Sequence, residues 1–190
     1  MTIWSIVVPK KLATVATAFC VLATAAATTA FAGDPETTGS IDRGASGLPL
    51  PRFVSIKANR VNLRIGPGRN YAVSWLYVKP GLPVEIIQEY DNWRRIRDSE
   101  GTEGWVYQSL LSGKRTAIAA PWSKGDEDKA VAMHREASDD APKLAVLEPG
   151  VLTEIANCDG EWCEVEAGRT KGYVHQSDIW GAYPGEVVSD

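Results

Sequence analysis

The chain offers few side chains that could perform nucleophilic or metal chemistry. After residue 32 its cysteines are Cys158 and Cys163, and its histidines are His134 and His175. A tetrahedral zinc site takes its ligands at short, regular spacings, and these histidines do not stand at such spacings from the cysteines. No Ser-His-Asp set or paired-acid pattern stands out either. We therefore predict no metal site, no cofactor and no catalytic residue.

The two cysteines are separated by residues 159–162. A four-residue hairpin loop would place Cys158 directly opposite Cys163 on paired antiparallel strands. Facing Cα atoms in such a pair lie about 4.5–5.5 Å apart, which is within the range of a disulfide. We predict that the two residues form a structural disulfide.

The segment GPG at residues 66–68 follows an alternating apolar run and is flanked by Arg64 and Arg69. Glycines with basic neighbours could form a phosphate-binding loop. Such a loop needs a strand, then the glycines, then a helix whose N-terminal amides face the phosphate. Pro67 lacks an amide hydrogen, and residues 72–78 have the pattern of a strand. We therefore interpret the segment as a turn between two strands.

Residues 1–32 have the pattern of a secretory signal peptide. Lys10 and Lys11 precede a run of small apolar residues, and AFA at residues 30–32 matches the small-x-small pattern of a cleavage site. We predict cleavage there and a periplasmic or secreted location; an uncleaved N-terminal anchor is the alternative. No later stretch is long and apolar enough to cross a bilayer, so no stable membrane anchor is expected after cleavage. Residues 33–51, rich in Gly, Pro, Ser and Thr, are predicted to be a flexible linker.

The rest of the chain contains an internal repeat. The segment that begins at Val61 aligns with the segment that begins at Val131, at offsets that fall from 70 to 68. Shared landmarks are PG at 80–81 and 149–150, EI at 85–86 and 154–155, Trp at 93 and 162, and VxQS at 106–109 and 174–177. Each copy is a series of short β-type segments with turn signals at close spacing. We predict an all-β fold of two tandem small β-barrels, at residues 52–116 and 117–184.

The first copy resembles the bacterial Src-homology-3-like (SH3-like) family. The residues that carry the resemblance are NLRxGPG, then an apolar strand, PG, a Trp about a dozen residues later and a closing GWV. The second copy is more divergent, with His134, Arg135 and Glu136 where NLRxGP is expected, but it ends in GYVHQSxxWGxYPGE, which secreted members often show. The resemblance implies a five-stranded, strongly bent barrel that serves as a non-catalytic targeting or interaction module. Many members occur in envelope proteins, and some bind peptidoglycan.

Several positions differ informatively between the copies. The places of Cys158 and Cys163 are held in the first copy by Glu89 and Arg94, which we predict to form a cross-strand charge pair. Positions that are aromatic in both copies are predicted to serve core or turn packing: Trp93 with Trp162, and Trp105 with Tyr173. Trp75 and Tyr77, aligned with Leu144 and Val146, are also predicted to lie in the core.

Three tyrosines have small or polar counterparts: Tyr71 aligns with Ala141, Tyr90 with Asp159, and Tyr107 with His175. We predict that these tyrosines are exposed, and exposed aromatic residues mark surfaces that bind glycans or peptides. Ordinary amphipathic surface is the alternative.

Charge separates the two copies more sharply. Residues 52–115 contain 11 basic and 6 acidic residues, whereas residues 117–186 contain 6 basic and 14 acidic residues. Candidate ligand-binding cations in the first copy are Arg64, Arg69, Arg94 and Arg95. They could form a cationic face for an anionic envelope polymer, or the two barrels could dock through their opposite fields. Without the leader the net charge is −6, with 18 basic and 24 acidic residues, which disfavours a nucleic-acid partner.

These observations favour a non-enzymatic periplasmic binding or targeting module, with a cell-wall polymer such as peptidoglycan or another envelope component as its partner. A periplasmic protein–protein adaptor or structural protein is the first alternative. An accessory of a cell-wall hydrolase is the second.

Overall fold

The computed structural model describes residues 42–189, except for the side chain of Glu127. The predicted signal peptide at 1–32 and the first part of the predicted linker, 33–41, lie outside the described residues. Over 42–189 the chain forms β-strands and short 3-10 turns without an α-helix, which confirms the all-β prediction. No helix within this range is long and apolar enough to span a bilayer.

The strands belong to a small N-terminal hairpin and two larger sheets. The hairpin pairs β1 (Asp42–Arg43) with β2 (Pro49–Leu50). The strands of the first sheet are β3 (Arg52–Ile56), β4 (Val61–Arg64), β5 (Val73–Tyr77), β6 (Pro83–Tyr90), β7 (Trp93–Arg97), β8 (Glu103–Tyr107) and β9 (Leu111–Ser112). Those of the second sheet are β10 (Thr116–Ala119), β11 (Val131–His134), β12 (Lys143–Leu147), β13 (Leu152–Asp159), β14 (Trp162–Ala167), β15 (Thr170–His175), β16 (Ile179–Trp180) and β17 (Val187–Val188).

The two larger sheets repeat the same antiparallel topology, which confirms the tandem barrels. The first follows the order β5-β4-β8-β7-β6-β3-β9, and the second follows β12-β11-β15-β14-β13-β10-β16. Both carry bulges at matching places, after Leu63 and Met133 and after Ile86 and Ile155. A bulge bends a strand and increases its twist, so matching bulges curl the two sheets alike. Each barrel has its own core cluster within the described residues.

A glycine allows the crowded crossing between two strands in each barrel. A Cβ at Gly104 would come within 2.6 Å of Cγ of Leu63 and 2.9 Å of the Arg64 carbonyl oxygen. The matching Gly172 stands in the same relation to Met133 and His134. The absence of a side chain lets β8 and β15 pass close to β4 and β11.

The structure corrects the predicted boundaries. Residues 42–51 are not a flexible linker, because β1 and β2 form a hairpin, and the Ser46 amide and hydroxyl donate hydrogen bonds of 2.7 and 2.8 Å to Glu89. Thr116 begins β10 and so belongs to the second barrel. That barrel also extends past residue 184, since β17 pairs with β13.

The predicted burial of Trp75 is wrong. In the strand register Trp75 faces Leu63, and Ala145 faces Met133, so Trp75 corresponds to Ala145 and not to Leu144. Its neighbour Tyr77 is buried at 5% exposure as predicted, but Trp75 is 54% exposed. The reason is that Trp75 lies where the edge strand leaves the core and lines a cleft.

Aromatic side chains of the two barrels pack against one another. The ring of Phe53 meets the rings of Trp180 and Tyr183 at centroid distances of 4.8 and 4.7 Å. The Tyr183 hydroxyl then donates a 2.7 Å hydrogen bond to Glu85 of the first barrel. This packing stabilises the pair without relying on the opposite net charges of the two copies.

Candidate functional site

The outer side of the β6–β7–β8 sheet gathers aromatic and basic side chains. Successive residues of a strand point to opposite faces, so Trp93, Arg95 and Arg97 of β7 lie on one face while Arg94 and Ile96 lie on the other. Trp93 is buried at 9% exposure, in agreement with its predicted packing role, whereas Arg95 and Arg97 are at least partly exposed. The partners of β7 across the sheet continue the outer pattern. We call the set Arg64, Tyr90, Arg95, Trp105 and Tyr107, which surrounds the buried Trp93, the aromatic–cationic face.

One row of this face is aromatic. Trp93 pairs with Tyr90 on one side and with Tyr107 on the other, so three rings stand side by side across three strands. Trp93 and Tyr107 meet edge to face at 5.5 Å, and Tyr90 meets Trp105 in the same manner at 6.5 Å. Tyr90 and Tyr71 are exposed as predicted, at 60% and 43%, whereas Tyr107 is half-buried and not fully exposed as expected.

The adjacent row places Trp105 between two arginines. Trp105 pairs with Arg64 of β4 on one side and with Arg95 of β7 on the other. Arg95 donates a 2.8 Å hydrogen bond to Glu103, and both side chains remain partly exposed, so this surface pair holds Arg95 weakly. Arg64 donates a 2.6 Å hydrogen bond to the Tyr71 carbonyl, which fixes its direction.

Arg94 does not belong to this face, contrary to the prediction. It is 7% exposed, its Nε lies 3.2 Å from Glu89, and it donates a 2.7 Å hydrogen bond to the Gln108 side chain. Its place on the inward side of β7 follows from strand alternation, because Arg95 points outward. Arg94 therefore has a structural role, and the predicted charge pair with Glu89 is confirmed.

Glu89 is the centre of a buried polar cluster. It accepts hydrogen bonds from Ser46 and Arg52 and pairs with Arg94. Burial by itself raises the pKa of the Glu89 carboxyl, but these donors and the Arg94 charge outweigh burial and lower the pKa to about 2. The cluster ties the N-terminal hairpin to the first barrel.

The loop at residues 66–68 is a turn, as predicted. The Gly68 amide donates a 2.9 Å hydrogen bond to the Gly66 carbonyl. The ring of Tyr71 lies against these glycines, and a Cβ at Gly66 would collide with it. Arg69 is exposed at this loop, which joins β4 to the edge strand β5. Tyr71 and Arg69 thus lie in the loop after β4 and do not belong to either row of the aromatic–cationic face.

The matching face of the second barrel has a different chemistry. Glu164 stands in the place of Arg95, and Tyr173 in the place of Trp105. The Trp162 and His175 rings lie 3.8 Å apart, and His175 Nε2 lies 2.8 Å from an Asp139 carboxylate oxygen. This face is acidic where the first is basic.

Asp159 occupies the position that Tyr90 has in the first barrel, and its carboxylate is hydrogen-bonded within the hairpin turn. It accepts hydrogen bonds from the backbone amides of Trp162 and Glu161, and these bonds lower its pKa. Asp159 therefore stabilises the hairpin loop between the cysteines. The predicted disulfide is confirmed, with Cys158 and Cys163 in register and Cα atoms 4.1 Å apart.

Trp105 was missed as a site residue. Its alignment with Tyr173 indicated a packing role, but its side chain is half-exposed on the outer side of β8. The signal was available, because Trp105 and Tyr107 are two residues apart on one strand and must share a face. Among the described residues no group of three or more His, Cys, Asp or Glu side chains could hold a metal ion.

Comparison with known proteins identifies both repeats. The family model described as "Bacterial SH3 domain" matches residues 57–113 and 127–181. No curated protein sequence matches the chain significantly.

Several solved structures show detectable similarity at low sequence identity. They include NlpC2 and NlpC1 from Trichomonas vaginalis, with TM-scores of 0.31 and 0.30 and identities of 13% and 12%. A third is an NlpC/P60 family protein from Bacillus cereus, with a TM-score of 0.29 and 9% identity. The matches cover 68%, 72% and 67% of this chain but 48%, 48% and 55% of those chains, so it spans about half their length.

Proposed function

Because this chain belongs to the bacterial SH3 domain family, with copies at residues 57–113 and 127–181, we propose that it is a non-enzymatic binding module of the cell envelope. Its partner is an anionic wall polymer, peptidoglycan in the first instance. The binding site is the aromatic–cationic face of the first barrel, and the second barrel supports that barrel without sharing its ligand.

The observation that carries this proposal is the row Arg64–Trp105–Arg95 beside the ring of Tyr90. Aromatic rings offer flat apolar surface with polar edges, which suits stacking against sugar rings. Guanidinium groups donate paired hydrogen bonds to carboxylates. Peptidoglycan presents both features, sugar rings in its glycan and carboxylates in its stem peptides.

The second barrel supplies an internal contrast. Its equivalent row holds His134, Tyr173 and Glu164, so an acidic side chain stands where the first barrel has Arg95. An anionic polymer would be repelled there. Only the first barrel therefore presents a cationic face to an anionic polymer.

A periplasmic or secreted location is part of the proposal. It rests on the signal-peptide pattern of residues 1–32. The Cys158–Cys163 disulfide agrees with an oxidising compartment, because cytosolic thiols are generally kept reduced.

Co-sedimentation with purified sacculi tests the proposal. We expect the wild type to sediment, and Arg95→Gln and Tyr90→Ala each to weaken binding by about five- to tenfold. Glu164→Gln, at the matched place in the second barrel, is the control and should bind as the wild type does. Binding should also weaken between about 0.05 and 0.5 M salt, since exposed charges are screened.

Two results would contradict the proposal. Sedimentation that is insensitive to salt and to Arg95→Gln would show that the cationic face does not bind the polymer. Failure of the wild type to sediment, together with recovery of one stoichiometric protein partner by crosslinking, would favour the periplasmic adaptor.

A further inference from the structure

A cleft of about 220 Å³ lies between the two barrels, and none of its lining residues belongs to the aromatic–cationic face. We call it the inter-barrel cleft. Its apolar walls are Trp75, Leu82, Ile118 and Pro121, and its charged side chains are Asp98, Glu100 and Lys124. Ligand pockets for drug-sized molecules measure about 300–1,000 Å³, so this cleft has room for one side chain.

The barrel fold does not require a tryptophan at position 75. Its partner in the register, Leu63, is fully buried, yet Trp75 exposes more than half of its surface. The second barrel has Ala145 at this position and folds in the same way. The indole is therefore not required for the barrel, and it presents a large aromatic surface to the cleft.

The cleft carries more negative than positive charge. Oδ1 of Asp98 accepts hydrogen bonds from the amides of Glu100 and Thr102, and Oδ2 accepts one of 2.9 Å from the Tyr77 hydroxyl. These donors are neutral, so they hold the Asp98 carboxylate in place without cancelling its charge. Among the described lining residues, Lys124 is the one cation set against Asp98 and Glu100.

The acidic side of the cleft already pairs with one ammonium group of the chain. The ammonium of Lys124 lies 3.1 Å from Oε1 of Glu100, and both side chains are largely exposed. Exposed pairs of this kind contribute little and exchange readily with other ions. An ammonium group from another molecule can replace Lys124 at Glu100.

The wall that carries Lys124 is held in a fixed conformation. Ala120, just before Pro121, has a φ of +33°, a strained value for a residue with a side chain. Its amide donates a 2.8 Å hydrogen bond to the Asp178 carbonyl, and its side chain is buried. The second barrel thus holds this wall in position against the first.

We propose that the inter-barrel cleft binds a primary ammonium group on an alkyl chain, such as a lysine side chain of a peptide. The alkyl chain packs on Trp75 and its apolar neighbours, and the ammonium pairs with Glu100 and Asp98 over the indole face, as cations do over aromatic rings. The ligand displaces Lys124. This site differs in charge and place from the aromatic–cationic face, so it stands without the proposed function.

A ligand titration of the wild-type chain, monitored by ¹H–¹⁵N NMR, tests this inference. The probe is Nα-acetyl-lysine methylamide, and its control is the neutral analogue Nα-acetyl-norleucine methylamide, which has the same alkyl chain without the ammonium. We expect the lysine probe to shift the Trp75 indole resonance and the backbone amide resonances of Asp98 and Glu100 with a Kd in the millimolar range, as a single cation–π contact and exposed ion pair allow. The two amides are the signals followed in variants that lack the indole. The norleucine probe should bind at least about fivefold more weakly.

Three variants sharpen the test. Trp75→Ala, which introduces the residue that the second barrel has at this position, should weaken lysine-probe binding about tenfold. The control is Trp122→Ala, because Trp122 is exposed but does not line the cleft, and this variant should leave binding unchanged. Lys124→Ala should strengthen binding roughly two- to fivefold by removing the internal competitor. Three results would each overturn the proposal: equal binding of the two probes, Asp98 and Glu100 amide shifts that Trp75→Ala leaves unchanged, or no shift at up to about 50 mM lysine probe.

Discussion

Nε of Arg94 lies 3.2 Å from Oε1 of Glu89 across the β6–β7 hairpin of the first barrel. In the second barrel the same two register positions are occupied by Cys158 and Cys163. The two barrels therefore close the same hairpin by different means. The ion pair responds to pH, whereas the disulfide responds to reduction.

The first prediction concerns acid. The pKa of Glu89 lies at about 2, below its ordinary 4.5. A carboxyl whose pKa is lowered on folding stabilises the protein above its unfolded pKa, and this contribution is lost as the pH falls toward the folded value. We expect the free energy of unfolding to fall between pH 4.5 and about 2, and to fall less in Glu89→Gln. Urea denaturation at several pH values measures this.

At neutral pH, Glu89→Gln should lower the free energy of unfolding by about 2 kcal/mol, because it weakens hydrogen bonds to a charged acceptor. Glu103→Gln, which alters an exposed pair with Arg95, is the control and should change stability by less than about 0.5 kcal/mol. An acid dependence that is the same in Glu89→Gln and in the wild type would show that another group is responsible.

The second prediction concerns reduction. The disulfide closes a short loop, so replacing both cysteines by serine should destabilise the second barrel by about 2 kcal/mol. Amide hydrogen exchange should show lost protection in β13 and β14, and in β17, which pairs with Cys158. Protection in β6 and β7 of the first barrel should change little. Equal loss in both barrels would mean that they unfold as one cooperative unit.

The third prediction concerns the strand crossing at Gly104. Gly104→Ala should lower the free energy of unfolding by about 2–3 kcal/mol, because the new Cβ meets Leu63 and the Arg64 carbonyl. Gly113→Ala adds the same methyl where no atom lies within 4 Å, and it is the matched control. Thermal unfolding compares the two variants. A Gly104→Ala protein as stable as Gly113→Ala would refute the close crossing.

The fourth prediction concerns docking of the barrels. Burial and the Glu85 carboxylate raise the pKa of Tyr183, so its hydroxyl stays protonated and donates to Glu85. Tyr183→Phe should cost about 1–2 kcal/mol by removing a hydrogen bond to a buried charged acceptor. Tyr90→Phe, at an exposed position, should have little effect. If Tyr183→Phe is also neutral in chemical denaturation, the hydrogen bond does not stabilise the docked pair.

Much of the fold could be read from local patterns. The repeat placed the strands of both copies, and the four-residue spacing of Cys158 and Cys163 was enough to predict their pairing, since a short hairpin leaves few alternatives. The exposure of Tyr90 followed from its replacement by Asp159 in the second copy, because a core position would not accept both residues.

Other features depended on register, which the sequence does not display. Strand alternation requires Arg94 and Arg95 to point to opposite faces, but the bulge between Ile86 and Gln88 decides how the partner strand lines up with them. A shift of one residue would have exchanged their roles.

The sequence by itself determined two copies of a small all-β unit, the disulfide hairpin and the opposite charges of the copies, because each depends on residues close together in the chain. Only the tertiary structure decided what the copies do to each other. Phe53 meets Trp180 and Tyr183 across more than a hundred residues, and Trp75 lines a cleft whose other wall comes from the second barrel. Such contacts arise when separate folded units pack together, and no local pattern encodes them.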